Sequence, residues 1–401
     1  MLPKLSGVSV AVFGVLLAGA ASAAEMGPAS GVLFEPKTID AGGFEVMPWL
    51  GLGVGNNSNV GLSNGAKTSS NFTILNPNLV IGLPTRGQFY GARYSGKIAR
   101  FSGSTTDNYN DHDFGLVAEN IWSARLNTLL NVDYIKGHDG RNALLFVNKE
   151  IWHASGVKGM VHYGAEGAQG QFELAAGQMY KRYDSNNSGA TQLYNYDKAD
   201  VTGTFFYKVA PATQMFVEAN NSKFTYIDPV SKNTLGLDSS EQRYMVGAKW
   251  KATAKTTGSV KLGTMKKSFS LGLKPSGTST VWDAEVNWSP KTYSVVDLSM
   301  HQRANEYGGL GSFIISRDTD LRWTHDWSGY VTSALSFGDG EDSFQASNRI
   351  DKRQTYALKA SYGFRTWLRA SIEYRNTKRN STIPVNSYTQ DVTMLMLEGS
   401  L

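Results

Sequence analysis

The chain contains no cysteine, which removes at one stroke a disulfide framework, a thiolate nucleophile and a lipobox cysteine for lipid attachment. Proline is scarce, at 11 residues in 401, few enough to be tolerated in turns. Charged residues make up 18% and mean hydropathy is -0.30. Beyond the first two dozen residues, no uncharged run approaches the roughly 20 apolar residues that a spanning helix needs. A helical membrane protein is thereby excluded, and any membrane integration has to use strands. The formal charge of +5, one lower without Lys4, is too small to imply a nucleic-acid partner.

Catalytic signals are equally thin. The six histidines, His112, His138, His153, His162, His301 and His325, show neither H-E-x-x-H spacing nor a Gly-x-Ser-x-Gly partner. His162 and His301 fall on a face that would line a lumen. Asp283 and Glu285 are two apart on one strand face, whereas a glycosidase takes its acid and base from separate elements. GLGVG, Gly51 to Gly55, is followed by no helix whose N-terminus could cap a phosphate. These residues imply no enzyme and no cofactor. DNYNDHD, Asp107 to Asp113, offers oxygen atoms that would suit either a solvated loop or a Ca²⁺ ion.

What is abundant is glycine, at 42, with Tyr at 19 and Phe at 18, a composition that favours strands and close backbone approaches. The clearest stretch is Asp238 to Phe269. Tyr244, Val246, Ala248 and Trp250 alternate with Arg243, Met245, Gly247, Lys249 and Lys251. After the KATAK turn, Gly258, Val260, Leu262 and Thr264 oppose Ser259, Lys261, Gly263 and Lys267. Period two means strand, and one apolar face against one small and charged face suits a wall between lipid and water.

The same pattern covers most of the chain. Phe44, Val46, Leu50, Leu52 and Val54 alternate with Glu45, Met47, Trp49, Gly51 and Gly53, and Tyr90, Ala92, Tyr94 and Ile98 with Arg93, Ser95 and Lys97. Short turns (PTRG, APAT, KATAK, SPKT) alternate with longer polar loops, and the last strand runs from Tyr388 to Leu401. The pattern predicts an all-β transmembrane up-and-down antiparallel barrel of eighteen strands, or sixteen, with both ends on the short-turn side. Loops 55–70, 136–151 and 183–196 are expected outside the cell. Trp122, Trp250, Trp288, Trp327 and Trp367 fall beside short turns, as an interfacial aromatic belt requires. Val246, Leu262, Val286 and Leu298 are assigned to lipid.

At the N-terminus one lysine, an apolar run from Val8 to Leu17 and Ala21-Ser22-Ala23 read as a secretory signal peptide. The expected organisation is a leader over 1–23, a polar lead-in over 24–42 and a barrel over 43–401, placed in the outer membrane of a Gram-negative cell with outer-membrane lipid as its surroundings.

YSGKIARFSGSTTDNYNDHDFGL, DKADVTGTFFYKVAPATQ, SSEQRYMVGAKWKATAKTTGSVKLG, WSPKTYSVVDLSM and RTWLRASIEYRNTKR resemble, over Gly43 to Leu401, the strand-turn-strand pattern of the β-barrel porins of the porin-2-like group, found in exopolysaccharide and capsule biosynthesis clusters. Members often carry acidic residues after the first strand, where this chain has Asn56, Asn57 and Asn59. The resemblance implies a barrel associated with polysaccharide secretion and transfers no catalytic residue. An anionic polysaccharide and envelope secretion proteins are the implied partners.

The inward face allows two readings. Arg93, Lys97, Arg243, Lys249, Lys261 and Lys267 are opposed by Glu119, Asp133, Glu218, Asp283 and others, which would give a ladder of salt bridges stiffening the wall. Alternatively, Lys249, Lys261 and Lys267 form a basic patch that draws anionic sugar chains. Three functions follow: a channel for exopolysaccharide or capsular polysaccharide export, a general diffusion or small-solute porin, and a structural barrel of a secretion complex.

Overall fold

The computed structural model describes residues 36–141, 149–184, 190–253, 255–306 and 311–400. The leader, 1–23, and the lead-in up to residue 35 lie outside the described residues. A three-residue strand, β1 (Ile39–Ala41), precedes β2 (Phe44–Asn57), β3 (Ser70–Thr85), β4 (Gln88–Phe101), β5 (Tyr109–Ile121), β6 (Leu126–Asp139), β7 (Glu150–Tyr163), β8 (Gly170–Tyr183), β9 (Tyr196–Ala210) and β10 (Thr213–Tyr226). The second half comprises β11 (Ser239–Thr253), β12 (Thr256–Phe269), β13 (Gly277–Lys291), β14 (Ser294–Glu306), β15 (Phe313–Asp326), β16 (Val331–Phe344), β17 (Ile350–Arg365), β18 (Leu368–Ser381) and β19 (Tyr388–Ser400).

Each strand pairs antiparallel with its neighbour, and β19 returns to β2, from Trp49↔Ser400 to Asn57↔Val392. Eighteen strands therefore close the barrel, matching the first of the two expected counts, and no edge is left for another chain to extend. The junction is tied by Ser400, whose Oγ accepts from the Lys37 N–H at 2.9 Å and donates to the Pro48 carbonyl at 2.7 Å. Eighteen strands about 4.8 Å apart and tilted by about 40° give a backbone diameter of about 35 Å, wide enough for an aqueous channel after side chains line it.

Burial is inside out. Tyr244, Val246 and Leu262 are 58%, 60% and 56% exposed, whereas Met245 and Met265, at inward positions of the same two strands, are 5% and 0% exposed. The alternation places apolar side chains outward and packs the inward ones against one another, as a wall facing lipid demands. Val286 and Leu298 are cross-strand partners on the same outward face.

Trp122, Trp288 and Trp327 are outward and exposed at the short-turn end, joined there by Tyr163, Tyr207, Tyr293 and Tyr330. Trp250 and Trp367 are half-buried; Lys37 Nζ lies 5.1 Å over the Trp367 ring. A second belt, which the tryptophan count did not reveal, consists of Tyr94, Phe114, Tyr134, Tyr180, Tyr244, Tyr356 and Tyr374. Its rings touch across strands, with Tyr94 and Phe114 centroids 4.7 Å apart. Phe172 and Tyr180 mark the two belts on β8, and their spacing along a tilted strand is ~20 Å, close to the height of an apolar band.

The strands run past the upper belt. β16 continues to Phe344 through Gly338-Asp339-Gly340-Glu341, past Phe337, where the alternation of apolar and small polar residues stops. A Cβ on Gly340 would lie 2.7 Å from Asp318 Oδ1 and 2.9 Å from Arg353 Nη2, and one on Gly338 would lie 2.9 Å from Asp320 Oδ1. Both glycines are thus positions where neighbouring charged side chains cross the inner wall.

Candidate lumenal site

Inward positions alternate with outward ones, so directly paired residues form rows round the inner wall. One row reads Lys261, Asp283, His301, Asp318, Gly340 and Arg353 across β12 to β17. Charge changes sign along it. Lys261 Nζ lies 3.2 Å from Glu218 on β10, while Asp318 takes both His301 Nε2 at 3.3 Å and Arg353 Nη2 at 2.8 Å. Elsewhere Arg93 joins Asp113 at 2.6 Å and Asp133 at 3.0 Å, Arg375 joins Glu373 at 2.7 Å, and Arg369 joins Glu398 at 2.7 Å. Lys97 is paired in register with Asp111 and Arg243 lies 3.2 Å from Glu241. A wall so built is strongly polar while its local charge largely cancels, which limits long-range attraction for one sign of ion.

The six basic residues picked out from sequence do not share one patch. Lys249 and Lys261 are on adjacent strands, with Lys261 opposite Gly247, so their Cα atoms are diagonal neighbours about 7–8 Å apart. Lys267 sits ~20 Å farther towards the long-loop end and is 0% exposed. Arg93 and Lys97 are on β4, separated by many strands. Lys249 forms no ion pair among the described residues; its Nζ lies 3.6 Å over the Phe206 ring, which packs on Phe216 at 5.5 Å. An ammonium over an aromatic face is held by the ring quadrupole, and both groups point into the lumen.

Lys267 belongs to a cluster at the long-loop mouth that the sequence did not indicate. It pairs with Glu306 on β14, lies 4.0 Å from Glu241, and stands 4.1 Å over the Phe224 ring. The Tyr226 hydroxyl donates to the same Glu306 at 2.9 Å. β10 and β14 are four strands apart, ~19 Å along the wall at normal strand spacing. A direct bond between them means that this part of the rim is drawn inward. On the neighbouring sector the Tyr183 hydroxyl and Trp152 Nε1 both donate to Asp139 at 2.8 Å, and Lys181 is 4.0 Å away. Buried lysines with these partners are structural, because each charge is neutralised where water is excluded.

The oxygen-rich DNYNDHD stretch is divided among cations. Asp107 binds Arg141 Nε at 2.7 Å, Asp111 bonds His138 Nδ1 at 3.0 Å, and Asp113 faces Arg93. The hydrogen bonds that Arg141 donates to Asp107 raise the Arg141 pKa. Asp283 and Glu285 both point inward, as expected, with Asp283 paired in register with Lys261 and His301.

Residues 32–400 match the family described as "Putative beta-barrel porin 2". The chain belongs to that family. It is a porin-type β-barrel channel of the outer membrane, and the expected location in a Gram-negative outer membrane holds. Among solved structures it is similar to a BenF-like porin from Pseudomonas fluorescens Pf-5, at 11% identity, covering 89% of this chain and 99% of that one, with a TM-score of 0.49. It is also similar to the outer membrane protein OpdK from Pseudomonas aeruginosa, at 12% identity over 89% and 98% of the two chains and a TM-score of 0.48. The FrpB iron transporter from Neisseria meningitidis matches at 11% identity and a TM-score of 0.48, and the match takes in 83% of this chain and 61% of that longer one. These likenesses concern the fold. No curated protein matches the chain.

Proposed function

We propose that this porin-type barrel conducts acidic, hydroxyl-rich polysaccharide across the outer membrane. The observation that supports this most is the Lys249–Phe206 pair beside Lys261 on the inner wall. Uronate carboxylates pair with ammonium groups, and the buried Phe206 ring holds the Lys249 ammonium at the wall without neutralising it, so the arrangement suits an anionic glycan better than a bare cation or an apolar solute. The polar rows of β12 to β17 supply hydrogen-bond donors and acceptors for the remaining hydroxyls. Lys267, shut away at the mouth, is left out of the track. The export role in exopolysaccharide or capsule secretion further rests on the resemblance noted in the sequence.

The test uses Lys249→Gln/Lys261→Gln in planar bilayers and in cells. A lower anion preference, a smaller difference at high salt as the charges are screened, and reduced polymer secretion are expected. Unchanged selectivity and secretion in a barrel that still inserts would overturn the assignment. The second reading, a general diffusion porin, is favoured by the ion pairing that neutralises Lys261 and Arg93. It predicts uptake of small neutral sugars in liposome swelling with no effect of the double variant.

A further inference from the structure

Above the upper aromatic belt the outer face ceases to be apolar. On β10 to β13, beyond Tyr244 and Trp282, the outward side chains include Lys223 and Lys266, both exposed. Lys223 is in register with Ser240, which pairs with Ser268; Lys266 is two positions below Ser268 and pairs with Gln242 and Thr278. These register steps put the two lysine Cα atoms about 12 Å apart. No carboxylate shares that stretch of outer face. The nearest outward acid, Asp197 on β9, is bound by Arg182 Nη2 at 2.5 Å, and Asp238 at the rim accepts from the Tyr226 N–H at 2.7 Å and lies 3.7 Å from Lys232. Neither Lys223 nor Lys266 forms an ion pair among the described residues. The sector from β15 to β18 differs: at the same height Lys352 pairs with Glu341 at 3.5 Å, and Asp339 accepts from Gln354 at 3.3 Å.

We propose that Lys223 and Lys266, with the hydroxyl and amide groups between them, form a docking site for the phosphomonoester headgroup of an outer-leaflet lipid. The height decides the occupant. In outer-membrane barrels the long-loop end faces the cell exterior, and tyrosine belts mark the level of the headgroups. Two ammonium groups just beyond such a belt, on the lipid side of the wall, meet headgroups rather than solute in the lumen. Lysine stems lie along apolar surface while their charges reach the polar layer. Ser240, Gln242, Ser268 and Thr278 add neutral donors suited to phosphate oxygens. The proposal is independent of what crosses the lumen.

The experiment compares the purified barrel in nanodiscs of phosphatidylcholine with and without phosphatidic acid, the probe for a phosphomonoester headgroup, and counts retained lipid by native mass spectrometry. Each lysine is expected to contribute about fivefold to retention, and Lys223→Gln/Lys266→Gln to lose about thirtyfold. Lys352→Gln, whose charge is already paired, should change it less than twofold. Heat-modifiable gel mobility confirms that each variant is folded. Unchanged retention in the double variant, an equal loss in Lys352→Gln, or equal retention of phosphatidylcholine overturns the proposal. Displacement of the lipid by millimolar inorganic phosphate would assign the site to a free anion and overturn the lipid assignment.

Discussion

Arginine placed along the outer face of β11 should report the depth of each position. Gln242, Tyr244, Val246, Ala248 and Trp250 all point outward, and the span from Tyr244 to Trp250 is ~15 Å along the membrane normal. Val246, 60% exposed, stands between the two aromatic belts, where an arginine costs about 2–4 kcal/mol, falling to about 0–1 kcal/mol near the interfaces. Gln242 lies beyond Tyr244, so Gln242→Arg should be nearly silent while Val246→Arg shifts the folding equilibrium by roughly 30- to 1000-fold. An inward exchange on the neighbouring strand sets the scale from the other side. Lys261→Gln breaks a pair with Glu218 whose side chains are 28% and 19% exposed, and in a wet lumen that is worth about 1 kcal/mol. Urea titration into phosphatidylcholine vesicles, followed by tryptophan fluorescence and gel mobility, measures all three. A flat profile from Gln242 to Val246, or a Lys261→Gln cost equal to that of Val246→Arg, would refute the face assignment.

The absence of cysteine makes single-cysteine labelling direct: on intact cells a membrane-impermeant maleimide should react with Lys67→Cys and Ser276→Cys in the longer loops and leave Arg125→Cys and Gly329→Cys in the short turns unlabelled. Lys267→Met should cost about 3 kcal/mol or more in the same urea titration, because Glu306 and Tyr226 stay behind without the buried ammonium that neutralises them. Gly263→Ala should destabilise by about 1–3 kcal/mol, since its Cβ would fall 1.9 Å from the Tyr244 carbonyl oxygen and 2.7 Å from Met245 Cα; wild-type-like unfolding would show that the two strands separate easily there.

Much of this fold could be read in advance because strand period and wall orientation are the same fact: alternation fixes which side chains meet lipid, and lipid tolerates no ambiguity. Phe44 to Val54, Tyr90 to Ile98 and Tyr244 to Leu262 all face as their pattern required. Strand ends were harder. Above the upper belt the outer face meets water or headgroups, so both faces turn polar and the alternation that identifies a strand disappears. Gly338 to Glu341 reads as a loop for that reason, yet it stays in the sheet because β15 and β17 already offer paired backbone on either side. The second aromatic belt was hidden for a related cause: it uses tyrosine and phenylalanine within strands rather than tryptophan beside turns.

The lumenal site separates what period two can say from what it cannot. Alternation correctly puts Lys249, Lys261 and Lys267 on the inner wall, but it carries no information about height or lateral partners, and these decide what each lysine does. Height comes from register: six positions along one strand move Lys267 out of the neighbourhood of Lys261 and into the drawn-in rim. Partners come from strands remote in sequence, Glu218 for Lys261, Glu306 for Lys267 and the Phe206 ring for Lys249. Three residues of one type on one face thus have three roles: a paired member of a polar row, a buried tie across the mouth, and an ammonium without a carboxylate partner on an aromatic ring. Only the third keeps its charge available to a passing anion. Lys249→Gln alone should therefore carry most of the selectivity change of the double variant, and a larger effect from Lys261→Gln alone would show that the Glu218 pair opens in the conducting state.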